Sequence, residues 1–560
     1  MGSNVSSAAS QRNPHDSPAS GVNGQPDLAR HPHATPAPTP TPTPTPLTSS
    51  AVMATATDSA RSVAIDDEPV LDALTDATRT ARLAALRAAV PDAQWLTDRE
   101  QITPYECDGL AAYRKLPLAV VLPADEDQVC RILRACHAHG VPVVPRGAGT
   151  GLSGGAMPIT DGIVLSLAKF KRILEVDAYA RTATVQPGVR NLAVSEAAAP
   201  YGLYYAPDPS SQIACTIGGN VSENSGGVHC LKYGLTVHNV LRVRAVTMDG
   251  EIVEFGSHAL DSPGLDLLSV FIGSEGMFCV VTEVTVKLVP KPQVQQVIMA
   301  SFDDVEAGGN AVAAIIAAGI IPAGLEMMDK PATQAVEEFV HAGYDLDAAA
   351  ILLCESDGTP EEVAEEIARV SAVLRASGAT RIQVSTSEAE RLRFWSGRKN
   401  AFPAAGRISP DYYCMDGTIP RRTIGTLLKR IEAMEVQYGL RCINVFHAGD
   451  GNMHPLILFN GNDLDEWHRA EAFGSDILEA CVELGGTVTG EHGVGIEKIN
   501  SMCVQFSPEE RDAFFAVKRA FDPAGLLNAD KAIPTRARCA EYGKLHVRGG
   551  LLPHPDLPRF

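Results

Sequence analysis

The stretch PRGAGTGLSGG at 145–155 limits what this chain can fold into more than any other. Its core, GTGLSG at 149–154, fits the G-x-G-x-x-G pattern of a dinucleotide-binding turn. That turn needs a strand before it and a helix directly after it, so that a pyrophosphate rests on the helix N-terminus. The strand is present in VPVVPR, but GAMPITDGIVLSL follows, with Pro158 and Gly162 where the helix would propagate and then a β-rich run. A glycine loop between two strands still exposes successive N–H groups that can nest an anion. It reads as a phosphate loop that is not of the nicotinamide type.

Two further glycine clusters, TIGGNVSENSGG at 216–227 and FIGSEG at 271–276, lie in the same half of the chain. Three such loops imply that main chain approaches one extended ligand at several points. An amphipathic helix is predicted from Glu68 to before Pro91, and a second over 125–139. In the second, Val129, Ile132, Leu133 and Cys136 recur at i, i+3, i+4, i+7 between Asp125 and Gly140. β-Rich runs such as LAVVL, GIVLSL and CVVTEVTVKLV surround these helices, and VLRVRAVTMDGEIVEF carries an Asp-Gly hairpin signal. After VPKP at 289–292, strand-like runs (VIMASF, AAAILLC, CINVFHA, HPLILF) alternate with helical ones, which predicts a sheet with helices on one face. The fold class is α+β.

Residues 1–66, with TPAPTPTPTPTPL, read as a disordered low-complexity tail, and Met53 is a candidate translation start. A cofactor domain follows at 67–290, a second α+β domain at 291–515, a C-terminal segment at 516–540 and a tail at 541–560.

The formal net charge of -20 argues against a nucleic-acid partner. No apolar run is long enough to span a membrane, because Pro322 interrupts the best candidate, NAVAAIIAAGIIPAGL. The twelve cysteines are scattered singly, without C-x-x-C, which predicts buried reduced thiols in a cytoplasmic protein, at most peripheral to a membrane.

The motifs PRGAGTGLSGG, PDPSS, TIGGNVSENSGG and FIGSEG together resemble the FAD-binding domain of the vanillyl-alcohol oxidase flavoprotein superfamily. FHAGDGNMHPLI, TGEHGVGIEK and FDPAGLLNADKAI are similar to its FAD-linked D-2-hydroxyacid dehydrogenase branch, and RISPDYYCMDGTIPRR and PTRARCAEYGK to flavoprotein subunits of glycolate oxidases within it. The resemblance implies a two-part FAD-binding domain and an α+β cap. It places Pro145, Arg146, Gly147, Ala148, Gly149, Thr150, Gly151, Leu152, Ser153, Gly154 and Gly155 around the pyrophosphate. Around the rest of the cofactor it places Pro209, Ser210, Gly218, Gly219, Asn220, Ser222, Gly226, Gly227, Glu275 and Gly276. Some superfamily members tether flavin through a His or Cys. The first loop has neither and only Cys215 and Cys230 flank the second, so non-covalent FAD is expected.

HAGDGNMH places His447 and His454 around Asp450-Gly451, a dipeptide favoured in two-residue type I′ turns. In that register the two histidines sit directly opposite each other, close enough to share one metal ion. Glu491 in TVTGEHGVG offers a third ligand, with Gly490, Gly493 and Gly495 giving the chain room to approach. By spacing alone, the same histidines serve equally as hydrogen-bonding core groups or as pocket groups without metal. The resemblance assigns His447, His454 and Glu491 to a divalent metal, often zinc, and His492 to the catalytic base. Adjacent residues on an extended strand point to opposite faces, so Glu491 and His492 can both serve only where the chain bends.

Arg398 in FWSGRKNAF matches the family's arginine for the substrate carboxylate, though by itself it also reads as a surface helix charge. A second cation in the pocket, from Lys399 or Arg407, would favour a dicarboxylate such as 2-hydroxyglutarate. Asn528 in FDPAGLLNADK matches the segment that folds back to the flavin; its simpler reading is a turn after a helix stop. The implied activity is FAD-dependent oxidation of a small D-2-hydroxyacid, glycolate first and D-lactate second. Without iron–sulfur cysteine runs or a nicotinamide site, the implied acceptors are a second flavoprotein-like subunit and an iron–sulfur subunit. A transferase similar to alkyl-dihydroxyacetonephosphate synthases and an inactive FAD-holding subunit are the alternatives on the same scaffold.

Overall fold

A computed structural model describes residues 74–259, 264–535 and 538–539. The expected tails at 1–66 and 541–560, and Met53, lie outside the described residues. Helix Asp76–Ala89 packs on Glu126–Ala138, which starts where Asp125 accepts from the Gln128 amide and stops at Gly140 (φ 59°).

The first sheet runs in the order Gln94–Leu96, Ala119–Leu122, Ile163–Ser166, Val143–Arg146, and its last three strands are parallel. The glycine loop therefore joins two adjacent parallel strands, and no helix lies between them. Leu526 and Asn528 bond along the free side of Val143, which carries the C-terminal segment back to this loop.

A five-stranded antiparallel sheet follows, in the order Ile173–Asp177, Thr182–Val185, Val280–Lys287, Val240–Val246, Ile252–Gly256. The Asp-Gly signal lies in its last hairpin, where Gly250 has φ 74°.

The third sheet has seven antiparallel strands, in the order Arg381–Val384, Val294–Phe302, Ala350–Gly358, Gly324–Asp329, Arg441–Phe446, Pro455–Phe459, Asp411–Cys414. The expected single helical layer is two layers. Ile298, Ala300, Phe302, Leu352 and Cys354 share a core with Val305–Ala317, Pro360–Ala376, Ile424–Tyr438 and Leu464–Glu483. Val297, Met299, Ile351 and Leu353 pack instead with Lys330–Val340, Glu388–Lys399 and Ala401–Ile408. The central strands carry continuous apolar runs, AILLC above all, and a strand apolar on both sides must be covered on both.

His229 connects the cofactor half to this sheet, with Nδ1 2.7 Å from Asp208 Oδ2 and Nε2 3.2 Å from Glu355 Oε1. Burial alone would lower its pKa, but Asp208 and Glu355 outweigh it and raise the imidazole well above 6.5.

Cys503 and Cys539 form a disulfide with Cα atoms 5.5 Å apart, which corrects the expectation of reduced thiols for this pair. The other ten cysteines are free. Among the described residues no helix is long and apolar enough to cross a membrane.

Candidate active site

One cavity of about 510 Å³ is lined by the glycine loops and by His454, Glu491 and His492. Residues 145–152, Gly155, Pro209, Ser210, Gly218, Gly219, Asn220, Ser222, Glu275 and Gly276 all line it. The first loop fits a phosphate because main chain faces the cavity. A Cβ on Gly147 would lie 2.4 Å from Thr216 Oγ1, and Gly149 holds φ 71°. Thr216 Oγ1 is buried on the same wall without a hydrogen-bond partner, a polar atom left for a ligand. Neither Thr216 nor Asp108, another wall residue, carried a sequence signal beyond its place near a glycine. The Arg146 guanidinium donates through Nη1 to the Cys107 and Ala156 carbonyls and braces the loop.

Ser153, Gly154, Gly226, Gly227 and Asn528, also expected around the flavin, are not among the residues lining this cavity. The Ser153 carbonyl accepts the Ile496 and Glu497 amides, and Gly154 lies against Ile496. Gly226 leaves room for Glu491, whose Oε2 would be 2.5 Å from an added Cβ, and Gly227 lies against Asp208. Asn528 (φ 42°) is committed to protein: its Nδ2 donates to the Gly155 and Glu275 carbonyls and its Oδ1 accepts from Lys531.

The histidine hairpin differs from the expected register. Asn444 pairs with Pro455 and His447 with Asn452, so the turn spans residues 448–451 and His454 is the diagonal neighbour of His447. Asp450 Oδ1 accepts the Asn452 amide at 3.0 Å, an Asx-type contact that widens the turn. The rings still converge, with centroids 5.1 Å apart and nearly perpendicular. Glu491 Oε1 lies 3.3 Å from both His447 Nε2 and His454 Nε2.

The bend that Glu491 and His492 require is made by a residue the sequence did not flag. Buried Asp416 accepts the amides of Gly490 (3.0 Å), Glu491 (3.1 Å) and His492 (2.9 Å) and the Thr489 hydroxyl (2.7 Å). Three consecutive amides converging on one carboxylate cannot belong to an extended strand, so both side chains reach the cavity. Glu275 from the cofactor half then accepts Val494 and Gly495, each at 2.7 Å.

Burial would raise the Glu491 pKa, but His447, His454 and His492 outweigh it and hold the carboxylate down to about 2. Burial pushes His492 down to about 4, so it is neutral at pH 7. Ligating atoms of His447, His454 and Glu491 lie within 4.8 Å of one another, and His454 Nε2 and Glu491 Oε2 are buried without hydrogen-bond partners. Two imidazoles and a carboxylate with orphaned atoms fit a divalent cation.

Arg398 does not line the cavity; its neighbours Lys399 and Asn400 do. It is 3% exposed, not a surface charge, and its Nε donates to Glu326 Oε2 at 2.6 Å. Glu326 Oε1 lies 2.6 Å from His447 Nδ1, so one carboxylate holds both the arginine and a histidine. A lone glutamate inside the apolar strand GLEMMD was the signal for it. Arg407 is exposed, with a donor 3.5 Å from the Glu338 carbonyl.

Residues 117–256 match the family described as FAD binding domain, and residues 291–532 match FAD linked oxidases, C-terminal domain. The glycolate oxidase subunit GlcD of Escherichia coli is 61% identical over 88% of this chain and 99% of that protein. A D-lactate dehydrogenase of Archaeoglobus fulgidus is 33% identical over 74% of this chain and 91% of its own length. The crystal structure of p-cresol methylhydroxylase shares the fold, with a TM-score of 0.70 at 18% identity over 82% of this chain and 98% of that one.

Proposed function

This chain belongs to the FAD-linked oxidases, and from that premise we propose that it oxidises a small D-2-hydroxyacid, glycolate first and D-lactate second, to the 2-oxoacid. The observation that carries the reading is the shared cavity: the glycine loops expected to hold FAD and the His454–Glu491–His492 cluster line one space. Bound there, FAD supplies the acceptor for a hydride leaving the substrate Cα, and a divalent metal such as zinc on His447, His454 and Glu491 supplies the charge that acidifies the substrate hydroxyl.

His492, neutral and on the cavity wall, accepts the hydroxyl proton. Asp416 fixes the loop that aims it. Arg398 is the group proposed for the substrate carboxylate; held off the cavity wall by Glu326, its guanidinium must turn toward the cavity to meet it. FAD is held without a covalent link: the first loop offers no His or Cys, and Cys215 on the cavity wall keeps its thiol against the Asn220 side chain. The electrons pass to a second flavoprotein-like subunit and an iron–sulfur subunit, in line with a relative that is itself called a subunit. Through those partners the protein associates with the cytoplasmic face of a membrane.

The test is anaerobic flavin bleaching against glycolate, D-lactate, L-lactate, D-malate and D-2-hydroxyglutarate, with elemental analysis of the same protein. Glycolate should bleach fastest, a stoichiometric divalent metal should be present, and His492→Ala should keep FAD yet lose bleaching. Unchanged bleaching in that variant overturns the assignment of the base, and failure of every 2-hydroxyacid to bleach the flavin overturns the activity.

A further inference from the structure

Glu223 is the acid of TIGGNVSENSGG, and the chemistry above leaves it unused. It ends the helix Ile217–Glu223 and lines the cavity. Two glycines show where its carboxyl lies. A Cβ on Gly155, at the end of the first loop, would lie 3.1 Å from Glu223 Oε1. A Cβ on Gly493, beside His492, would lie 2.2 Å from Glu223 Oε2. The carboxyl therefore stands where the cofactor wall meets the catalytic loop, with Oε1 toward Gly155, itself part of the cavity wall. A hydride leaving a substrate beside His492 can reach FAD only where those two walls meet, so the reacting ring of the flavin must extend to this junction.

Its neighbours decide whether this carboxyl is charged. Glu275 also flanks Gly493, with its Cδ 3.0 Å from the same added Cβ. Both of its oxygens accept amides, Oε1 from Val494 and Oε2 from Gly495, so Glu275 is the better seat for a negative charge. Glu223 Oε2, in contrast, is buried without a hydrogen-bond partner. The cations nearby are committed elsewhere: Lys531 donates to the Gly155 and Met157 carbonyls and to Asn528, and Lys498 to the Gly493 carbonyl and Glu497. An ionised Glu223 would leave a charged oxygen unpaired beside a second carboxylate, whereas a neutral carboxyl leaves only a carbonyl oxygen unpaired. Burial, Glu275 and Asp108 raise its pKa well above 4.5, against the pull of Lys498 and Lys531.

We propose that Glu223 donates a hydrogen bond from its carboxyl group to the polar edge of the flavin ring and so favours reduction of the cofactor. The proposal rests on the reading of this cavity as the place where flavin and 2-hydroxyacid meet. Two-electron reduction adds negative charge to the nitrogens and oxygens of the ring, and a donor fixed beside them holds that charge better than an apolar wall does. A neutral acid suits a site that already carries Glu275 and Glu491, because it brings a donor without a further negative charge.

The test measures the flavin potential of the holoenzyme without substrate, by photoreduction against a reference dye. In Glu223→Leu the reduction equilibrium should shift about tenfold toward oxidised flavin, about 30 mV for two electrons. Glu223→Gln keeps a donor and should stay close to the unaltered protein. The infrared difference spectrum between reduced and oxidised holoenzyme should contain a protonated-carboxyl band that Glu223→Gln lacks. An unchanged potential in Glu223→Leu, an equal shift in both variants, or no such band in the unaltered protein overturns the proposal. Should Glu223→Leu hold no FAD, the band decides. Failure of every 2-hydroxyacid to bleach the unaltered flavin would defeat the underlying reading instead, since the potential and the band are read without substrate.

Discussion

The two walls of the cavity are built by opposite means. The cofactor wall is built on glycine: Gly147 leaves room that a side chain would fill against Thr216, and Gly149 takes a left-handed turn closed over Arg146. The catalytic wall is side chains, positioned by carboxylates: Glu326 bonds the His447 ring, and Asp416 accepts the main-chain amides of Glu491 and His492. Where backbone is the ligand, the residue type must be glycine. Where a side chain is the ligand, its orientation depends on a partner distant in sequence.

If the walls are separable, damage to one should spare the other. The largest effect is expected from Glu326→Gln, which leaves Arg398 without its buried counter-charge and His447 without a fixed orientation. Loss of such a supporting carboxylate typically costs about 10–100-fold in metal affinity or activity. Turnover and metal content should fall by that order while the FAD-to-protein absorbance ratio holds; equal loss of FAD would break the distinction.

Gly147→Ala should do the reverse. Its Cβ would overlap Thr216 Oγ1, and a strain of about 1–2 kcal/mol corresponds to roughly 5–30-fold weaker binding. Fluorescence titration of the apoprotein should show weaker FAD binding, with kcat per bound flavin nearly unchanged.

The smallest effect concerns the seam between the halves. The folded-state pKa of His229 is raised above 6.5, so its contribution to stability is complete below pH 6.5 and is lost as pH rises through the folded value. The melting temperature should fall by about 1–2 °C across that rise, and His229→Gln should remove this component. A slope unchanged in the variant would show that the seam does not depend on this contact.

The glycine clusters, the missing crossover helix and the caps Asp125 and Gly140 were legible because local backbone geometry demands them. Thr216 was not, because a threonine beside a glycine cluster has many ordinary uses. Asp416 and Glu326 were hidden for a different reason: each is a single acid whose meaning is a contact across 75 or more residues. The His447–His454 register failed because Asp450 turned its side chain to the Asn452 amide and widened the turn. The side-chain convergence survived because diagonal imidazoles still reach one another.

Glu275 sits in the third glycine cluster, yet its carboxylate closes on Val494 and Gly495. Hybrids that join the cofactor half of one relative to the cap of another would therefore split this clasp across their junction. In such a library, the pairing inherited at position 275 and at 494–495 would sort active hybrids from those that are merely well folded and yellow.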